Sequence, residues 1–289
     1  MNSNQSNYLN DRQIYKIDTW KEFQEITASS KYRRWAFRGQ EKSEWYLNNT
    51  LERYFRDYQI RKDSWQIQEH RIIRVFRRKA SLFLQHVPKE DDIFHWLALM
   101  QHHGAPTRLL DFTWSPYVAA FFALEKAKSD CAIWAVNFLL LKEKEYYFQQ
   151  ENATMKAPRP ENGIEHYLNF YIENSVPFIT AGEPYSMSQR QIAQSGTFLV
   201  PGILDKPVEG ILATEQSPES IIVKFILDAK KIRDEAMESL YYMNITNATL
   251  FPGLEGLARS LGYELEFHWA YNPRTGEKYM DYEYHESEL

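Results

Sequence analysis

The stretch His102-His103-Gly104-Ala105-Pro106-Thr107-Arg108-Leu109-Leu110-Asp111, running into Ser115-Pro116, decides how this chain is read. Two imidazoles, a guanidinium and a carboxylate crowd around a Gly and a Pro that punctuate the backbone. Thr107 to Phe112 reads as a strand, with Thr107, Leu109 and Asp111 on one face and Arg108 on the other. Ser115 is a good N-cap and Pro116 a good first helical residue. The helix behind them carries Ala119, Ala123 and Ala127 at i+4 spacing, a stripe that lets another backbone come close. The segment is either a site or a heavily hydrogen-bonded buried turn.

Upstream, Trp35 to Arg38 reads as a short strand ended by Gly39. A helix is predicted over about Ser64 to His86, with Trp65, Ile72, Ile73, Phe76, Ala80 and Phe83 on its inner face and Arg71, Arg74, Arg78 and Gln85 opposite. A second runs from about Asp91 to His102, and Asp18 or Thr19 caps an earlier one. Downstream, strands are predicted at Cys131 to Leu141, Val176 to Thr180, Thr197 to Val200 and Ser220 to Leu227. Helices are predicted at Gly163 to Asn174, Ser186 to Gln194 and Asp228 to about Leu240, with a last short one after the Ala248–Leu257 turn. Glu143 to Gly163 reads as an exposed excursion. There is no βαβα rhythm, so the expected class is α+β: a single domain with a small mixed or antiparallel sheet surrounded by helices. Residues 1–14 are expected to be a flexible N-terminus, 15–265 the domain, and 266–289 an acidic aromatic tail in which Tyr279, Tyr282 and Tyr284 would be exposed.

Of 289 residues 15% are aromatic, which excludes a disordered chain. No apolar run approaches the ~20 residues of a membrane span, and no signal peptide opens the chain, so a soluble cytoplasmic protein without membrane partners is expected. The lone Cys131 sits in a strand-like apolar stretch. The net charge of −5 hides a basic segment from Lys31 to Lys79, with 14 Lys+Arg against 6 Asp+Glu. Such a segment attracts phosphates or nucleic acid, or is a solvated helix face.

Three polar knots stand out: Phe37-Arg38-Gly39-Gln40, His102 to Ser115, and Arg190 to Phe198. Arg38, at a strand end before Gly39 and Gln40, is placed either to grip an oxyanion bidentately or to pair with Asp111. Adjacent His102 and His103 point about 100° apart on a helix end, a poor arrangement for one metal, and no metal site is expected. One of them would bond across the turn and the other meet a ligand. Ser115 would cap its helix or meet an anion there. Arg190 and Gln194 lie one helical turn apart and would read an amide or phosphate, or cap a turn. Walker-type, G-x-S-x-G, H-E-x-x-H and G-x-G-x-x-G motifs are all missing.

With these knots in order the chain resembles the FRG domain family, named for its Phe-Arg-Gly motif. The resemblance covers Phe37-Arg38-Gly39-Gln40, His102 through Thr113, Ser115-Pro116 with the Ala119–Ala123 helix, Gln194-Ser195-Gly196-Thr197-Phe198, and Leu250-Phe251-Pro252 to Leu257. It implies a bacterial, archaeal or phage-linked protein with a role in conflict between phage and host, and hence antiviral defense. A more distant similarity joins Arg38-Gly39 and the Thr113-x-Ser115 helix to ADP-ribosyltransferases, and implies that the α+β domain has an ADP-ribosyltransferase-like core. There an early Arg holds dinucleotide phosphates and a later Glu stabilises the transition state. Gly196 stands where that Glu would be, which counts more against transfer than against a nucleotide-binding cleft.

Taken with the similarity, the leading reading is a cleft for NAD or a related nucleotide. Arg38, His103, Asp111 and Gln194 would form its reactive set, and Gly39, Gln40, Thr107, Arg108, Ser115 and Arg190 would bind ligand. Whether it catalyses is left open by the sequence. Two alternatives stand beside it. One is a non-enzymatic module that binds nucleic acid or a phage or host protein through the basic 64–86 helix. In the other, Arg38, Asp111 and His102 are buried and hold one another.

Overall fold

The computed structural model describes residues 8–143, 163–213, 218–267 and 271–279. Seven strands form one sheet: β1 (Ile14–Ile17), β2 (Trp35–Gln40), β3 (Leu110–Thr113), β4 (Cys131–Asn137), β5 (Ile179–Gly182), β6 (Gly196–Pro201) and β7 (Ile222–Leu227). Their order is β1-β7-β4-β2-β3-β6-β5. Only the β1–β7 pair is parallel. The α+β expectation stands, but the sheet is larger than expected. The unforeseen β1 is a four-residue strand, moored by Gln13 Nε2 donating to the Ile222 carbonyl at 3.2 Å.

The helices are α1 (Trp20–Ala28), α2 (Thr50–Asp57), α3 (Trp65–Ala80), α4 (Ile93–His102), α5 (Pro116–Leu124), α6 (Ile164–Tyr167), α7 (Gln189–Ala193), α8 (Val208–Leu212), α9 (Ala229–Tyr242), α10 (Asn247–Leu250) and α11 (Leu254–Glu266). The foreseen caps are present: Thr19 accepts from Glu22 N, Ser115 from Val118 N, and Asp228 from Lys230 N. The helix expected from Ser64 to His86 stops at Ala80. Leu82 N and Phe83 N instead close turns on Lys79 O and Ala80 O. Phe83, expected inside, is 85% exposed. The 163–174 helix is α6 followed by a π-helical stretch, Leu168–Ile172. Most of the 143–163 excursion lies outside the described residues, as do Tyr282, Tyr284 and most of the acidic tail.

Strand alternation builds cores on both faces of the sheet. Trp35, Phe37, Ile133 and Phe225 pack on one face against α1, α5 and α9. Ala36, Trp134, Val136 and Leu199 point the other way, toward Leu47 and α8. Across the sheet, Phe198 and Val200 of β6 meet α4 in a separate core. The Ala119/Ala123 stripe receives the backbone of β2: a Cβ on Gly39 would sit 2.0 Å from Ala119 O and 2.6 Å from Ala123 N. Only glycine fits between this strand and α5.

The sheet is weakest at its centre. β2 and β3 pair at one position, Phe37 opposite Thr113. β2 meanwhile pairs along its whole length with β4, and β3 with β6. Beyond Phe37 the two strands part, and a cleft opens between them.

Candidate functional site

The cleft encloses about 750 Å³ and is lined from both sides of this parting. β2 contributes Phe37, Arg38, Gly39 and Gln40, and β3 contributes Asp111, Phe112 and Thr113. Arg190 and Gln194 come from α7 and its C-cap. The loop after β2 and the start of α2 add Trp45, Tyr46, Asn48 and Arg53.

Arg38 sits at the fork. Its Nη1 donates to the Asp111 main-chain carbonyl at 2.7 Å, filling the place of a ladder hydrogen bond that the parted strands do not make. The Asp111 carboxylate is farther off, at 3.9 Å. Arg38 Nε is buried and has no hydrogen-bond partner. Burial pulls the guanidinium below its ordinary pKa, with Asp111 opposing the shift. Arg190 is lowered by burial too, with Asp111 again opposing; its guanidinium lies 4.5 Å over the Phe251 ring. Glu41, Glu44 and Asp111 share the walls, but Glu44 and Asp111 are exposed whereas the Arg38 side chain is only 19% exposed.

Asp111 is held by a relay. Thr107 Oγ1 donates to Gln101 Oε1 at 2.6 Å, and Gln101 Nε2 donates to Asp111 Oδ2 at 2.8 Å. Gln194 bridges two elements: its Nε2 donates to Leu250 O at 3.0 Å and its carbonyl accepts from Thr113 Oγ1 at 2.7 Å. Gln40 holds the cleft's outer loop, donating to Tyr46 O at 3.1 Å and accepting from Trp134 Nε1 at 2.7 Å.

The structure therefore brings together Arg38, Gly39, Gln40, Asp111, Arg190 and Gln194, and leaves His103, Thr107, Arg108 and Ser115 outside the cleft walls. Thr107 is buried and acts on Asp111 only through Gln101. Ser115 caps α5. His103 is the exposed C-cap of α4; its ring stands at 90° to that of His102. His102 does not join Arg38 and Asp111; burial lowers its pKa, with His103 and Arg190 adding to the shift.

The strand expected from Thr107 begins only at Leu110, and Arg108, two residues before it, is fully buried and pairs with Glu69 of α3. Its Nε donates to Glu69 Oε1 at 2.7 Å, Nη1 to Pro201 O at 2.9 Å, and Nη2 to Tyr171 O at 2.8 Å. Tyr167 Oη completes the cluster by donating to Glu69 Oε1 at 2.8 Å. A guanidinium with its donors engaged by the protein has none left for a ligand, so Arg108 fastens α3 to the sheet. The arginines of α3 are divided as well. Arg71 borders an apolar groove with Phe76 and Phe83, while Arg74, Arg77 and Arg78 border another beside Trp96. Arg77 is engaged there by the Glu90 carbonyl at 2.6 Å.

Arg53, Trp45 and Tyr46 line the cleft although no motif marks them in the sequence, and Phe122 joins them from the Ala119–Ala123 helix. The signal for α2 was present: Asn49-x-x-Glu52 has an N-cap pattern, and Asn49 Oδ1 accepts from Glu52 N at 2.8 Å. Gly196 lies opposite Thr113 in the β3–β6 ladder, and a Cβ there would meet Gln191 O at 3.2 Å.

No helix among the described residues is long and apolar enough to cross a membrane. No group of three or more metal-ligating side chains occurs among them. No curated protein and no solved structure matches the chain. Residues 33–131, the span that carries β2, β3 and α5 and with them Arg38 and Asp111, match the family model of the FRG domain.

Proposed function

We propose that the cleft between β2 and β3 binds a nucleotide through its phosphates, with NAD or a related dinucleotide as the leading candidate. The observation that carries this reading is Arg38: largely buried, fixed through one nitrogen to Asp111 O, and left with an unpartnered Nε on the wall of a 750 Å³ space. A buried donor without a partner is costly, and an oxyanion would supply one with charge-assisted strength. Arg190 and Arg53 stand on the same walls to meet a second phosphate. The aromatic lining of Phe37, Trp45, Tyr46 and Phe122 suits a base or nicotinamide ring.

The residues fit such a group as a binder more readily than as a transferase. A bound NAD would supply a pyrophosphate and a reactive N-glycosidic bond. The carboxylates available on the walls are Asp111, Glu41 and Glu44. Position 196 is packed against the α7 backbone, so the transferase Glu implied by the distant similarity has no counterpart there. The reading accordingly places Arg38 as phosphate clamp, Asp111 as the group that positions it, and Gln194 as the tie between cleft and α10. A role in phage–host conflict, acting on a nucleotide, is consistent with this.

Isothermal titration with NAD, ADP-ribose and ATP tests the reading. Saturable binding to wild type and its loss in Arg38→Ala are expected. Absence of binding by all three, or equal binding by Arg38→Ala, overturns it.

A further inference from the structure

We propose that a second cavity, walled by α5, α9, α10 and α11, is a binding site for a small organic ammonium ion. It encloses about 930 Å³ and shares no lining residue with the cleft, so it stands independently of the nucleotide reading.

One wall is aromatic and already organised for cations. Tyr241 stacks on Tyr263 with centroids 4.9 Å apart and planes at 8°, and Tyr263 stacks on Phe267 at 4.4 Å and 16°. The far end of this column is closed by a cation, Arg274, 5.7 Å from the Phe267 centroid. The near end, Tyr241, borders the cavity and is 43% exposed. Tyr242 packs against it with centroids 6.0 Å apart and planes at 76°, and the exposed part of the Tyr241 ring offers a second cation a π surface.

The polar lining points to the same class of ligand. The guanidiniums are committed elsewhere. Arg233 donates to Leu124 O at 3.0 Å, Glu125 O at 2.8 Å and Glu266 Oε2 at 2.6 Å. Arg259 pairs with Glu255 and lies 4.9 Å over Phe251. The one further cation of the lining, Lys126, is exposed. Acceptors remain. Asn247 is only 7% exposed; its Nδ2 donates to Glu125 Oε1 at 2.8 Å, while its Oδ1 is buried and accepts nothing. Glu125 and Glu264 border the cavity with it. A lining whose two guanidiniums are engaged, with an unpartnered amide oxygen, carboxylates and a half-exposed aromatic ring, favours a ligand that is cationic and donates hydrogen bonds.

The experiment titrates the full-length protein with benzylamine and, in parallel, with benzyl alcohol, its uncharged counterpart of similar shape. Saturable binding of the amine at millimolar concentration is expected, with the alcohol about tenfold weaker. Tyr241→Ala, at an exposed ring, and Glu125→Gln, which keeps an acceptor for Asn247 Nδ2, should each weaken the amine severalfold. Arg38→Ala should leave it unchanged, which separates this site from the cleft. No saturable binding overturns the proposal, as does equal affinity for the alcohol, which would show an apolar cavity only. Unchanged affinity in both Tyr241→Ala and Glu125→Gln also overturns it, by showing general attraction to an acidic chain.

Discussion

Arg38 is joined to Asp111 through the main chain: its Nη1 donates to the Asp111 carbonyl at 2.7 Å, while the Asp111 carboxylate accepts from Gln101 at 2.8 Å. Their charged groups make only a loose ion pair, Nη1 to Oδ2 at 3.9 Å, and Arg38 Nε keeps no partner. Arg38 bridges two parted strands and keeps a donor in reserve, and Asp111 sits alongside as a nearby negative charge. Sequence allows either a buried Arg–Asp lock or a ligand clamp; the carbonyl contact fits the clamp.

Arg38→Lys should separate charge from geometry. An ammonium keeps the positive charge but loses the planar fork, so phosphate affinity should drop about tenfold or more. Thermal stability should fall by only about 1 kcal/mol, the worth of one hydrogen bond. A melt showing a much larger loss would mean that Arg38 chiefly holds the sheet together.

Asp111→Asn should act in the opposite direction. Asn retains an acceptor for Gln101, and the carbonyl bonded to Arg38 is untouched. What disappears is a negative charge that opposes an incoming anion and partly neutralises both Arg38 and Arg190. Nucleotide affinity should rise severalfold, by titration at low ionic strength, and the gain should shrink with added salt. Weaker binding by this variant would assign the carboxylate a direct contact with ligand.

Arg108→Ala tests the corrected placement of the second arginine in the deciding stretch. It leaves Glu69 buried without its cation, and the expected cost is about 3–5 kcal/mol by urea unfolding. Any variant that remains folded should bind nucleotide as wild type does.

Much of this architecture was legible because local chemistry acted alone. Ser115-Pro116 started a helix where a cap and a proline require one, and the alanine stripe announced a close backbone that proved to be β2 at Gly39. What sequence did not reveal depended on distant partners. In sequence nothing separates Arg108 from Arg38; only the fold brings Glu69, from the amphipathic α3, against it. Phe83 fitted the helical period, yet the chain turns after Ala80 and leaves that ring in solvent. Arg53 reached the cleft on a short helix whose apolar face is only Leu51 and Phe55, too few residues to declare a period.

Gly39→Ala should be the most damaging single methyl addition in the cleft wall. The new Cβ would fall 2.0 Å from Ala119 O, a main-chain atom that moves only with α5. A cost of 3 kcal/mol or more, roughly the upper range for overpacking, is expected from thermal unfolding. A variant as stable as wild type would show that α5 slides freely on the sheet.

The pH dependence of stability should trace to the carboxylates under the cleft's outer loop. Glu209 is buried, and both its oxygens accept from Leu47 N at 3.1 Å. Burial raises its pKa from 4.5 to about 7, opposed by the Leu47 amide and Lys224; Glu52 is also raised to about 7, chiefly by burial. The folded state therefore holds these protons more tightly than the unfolded chain does. The resulting stability is full below about pH 4.5 and is lost as the pH rises through about 7. Glu209→Gln keeps an acceptor for Leu47 N and carries no charge. It should flatten this decline and, at alkaline pH, exceed wild type by on the order of 2 kcal/mol. Urea unfolding at pH values either side of this window provides the measurement. If Glu209→Gln is instead less stable than wild type at alkaline pH, the ionised carboxylate and its attraction to Lys224 outweigh the cost of burial, and the cleft's outer loop is anchored by charge.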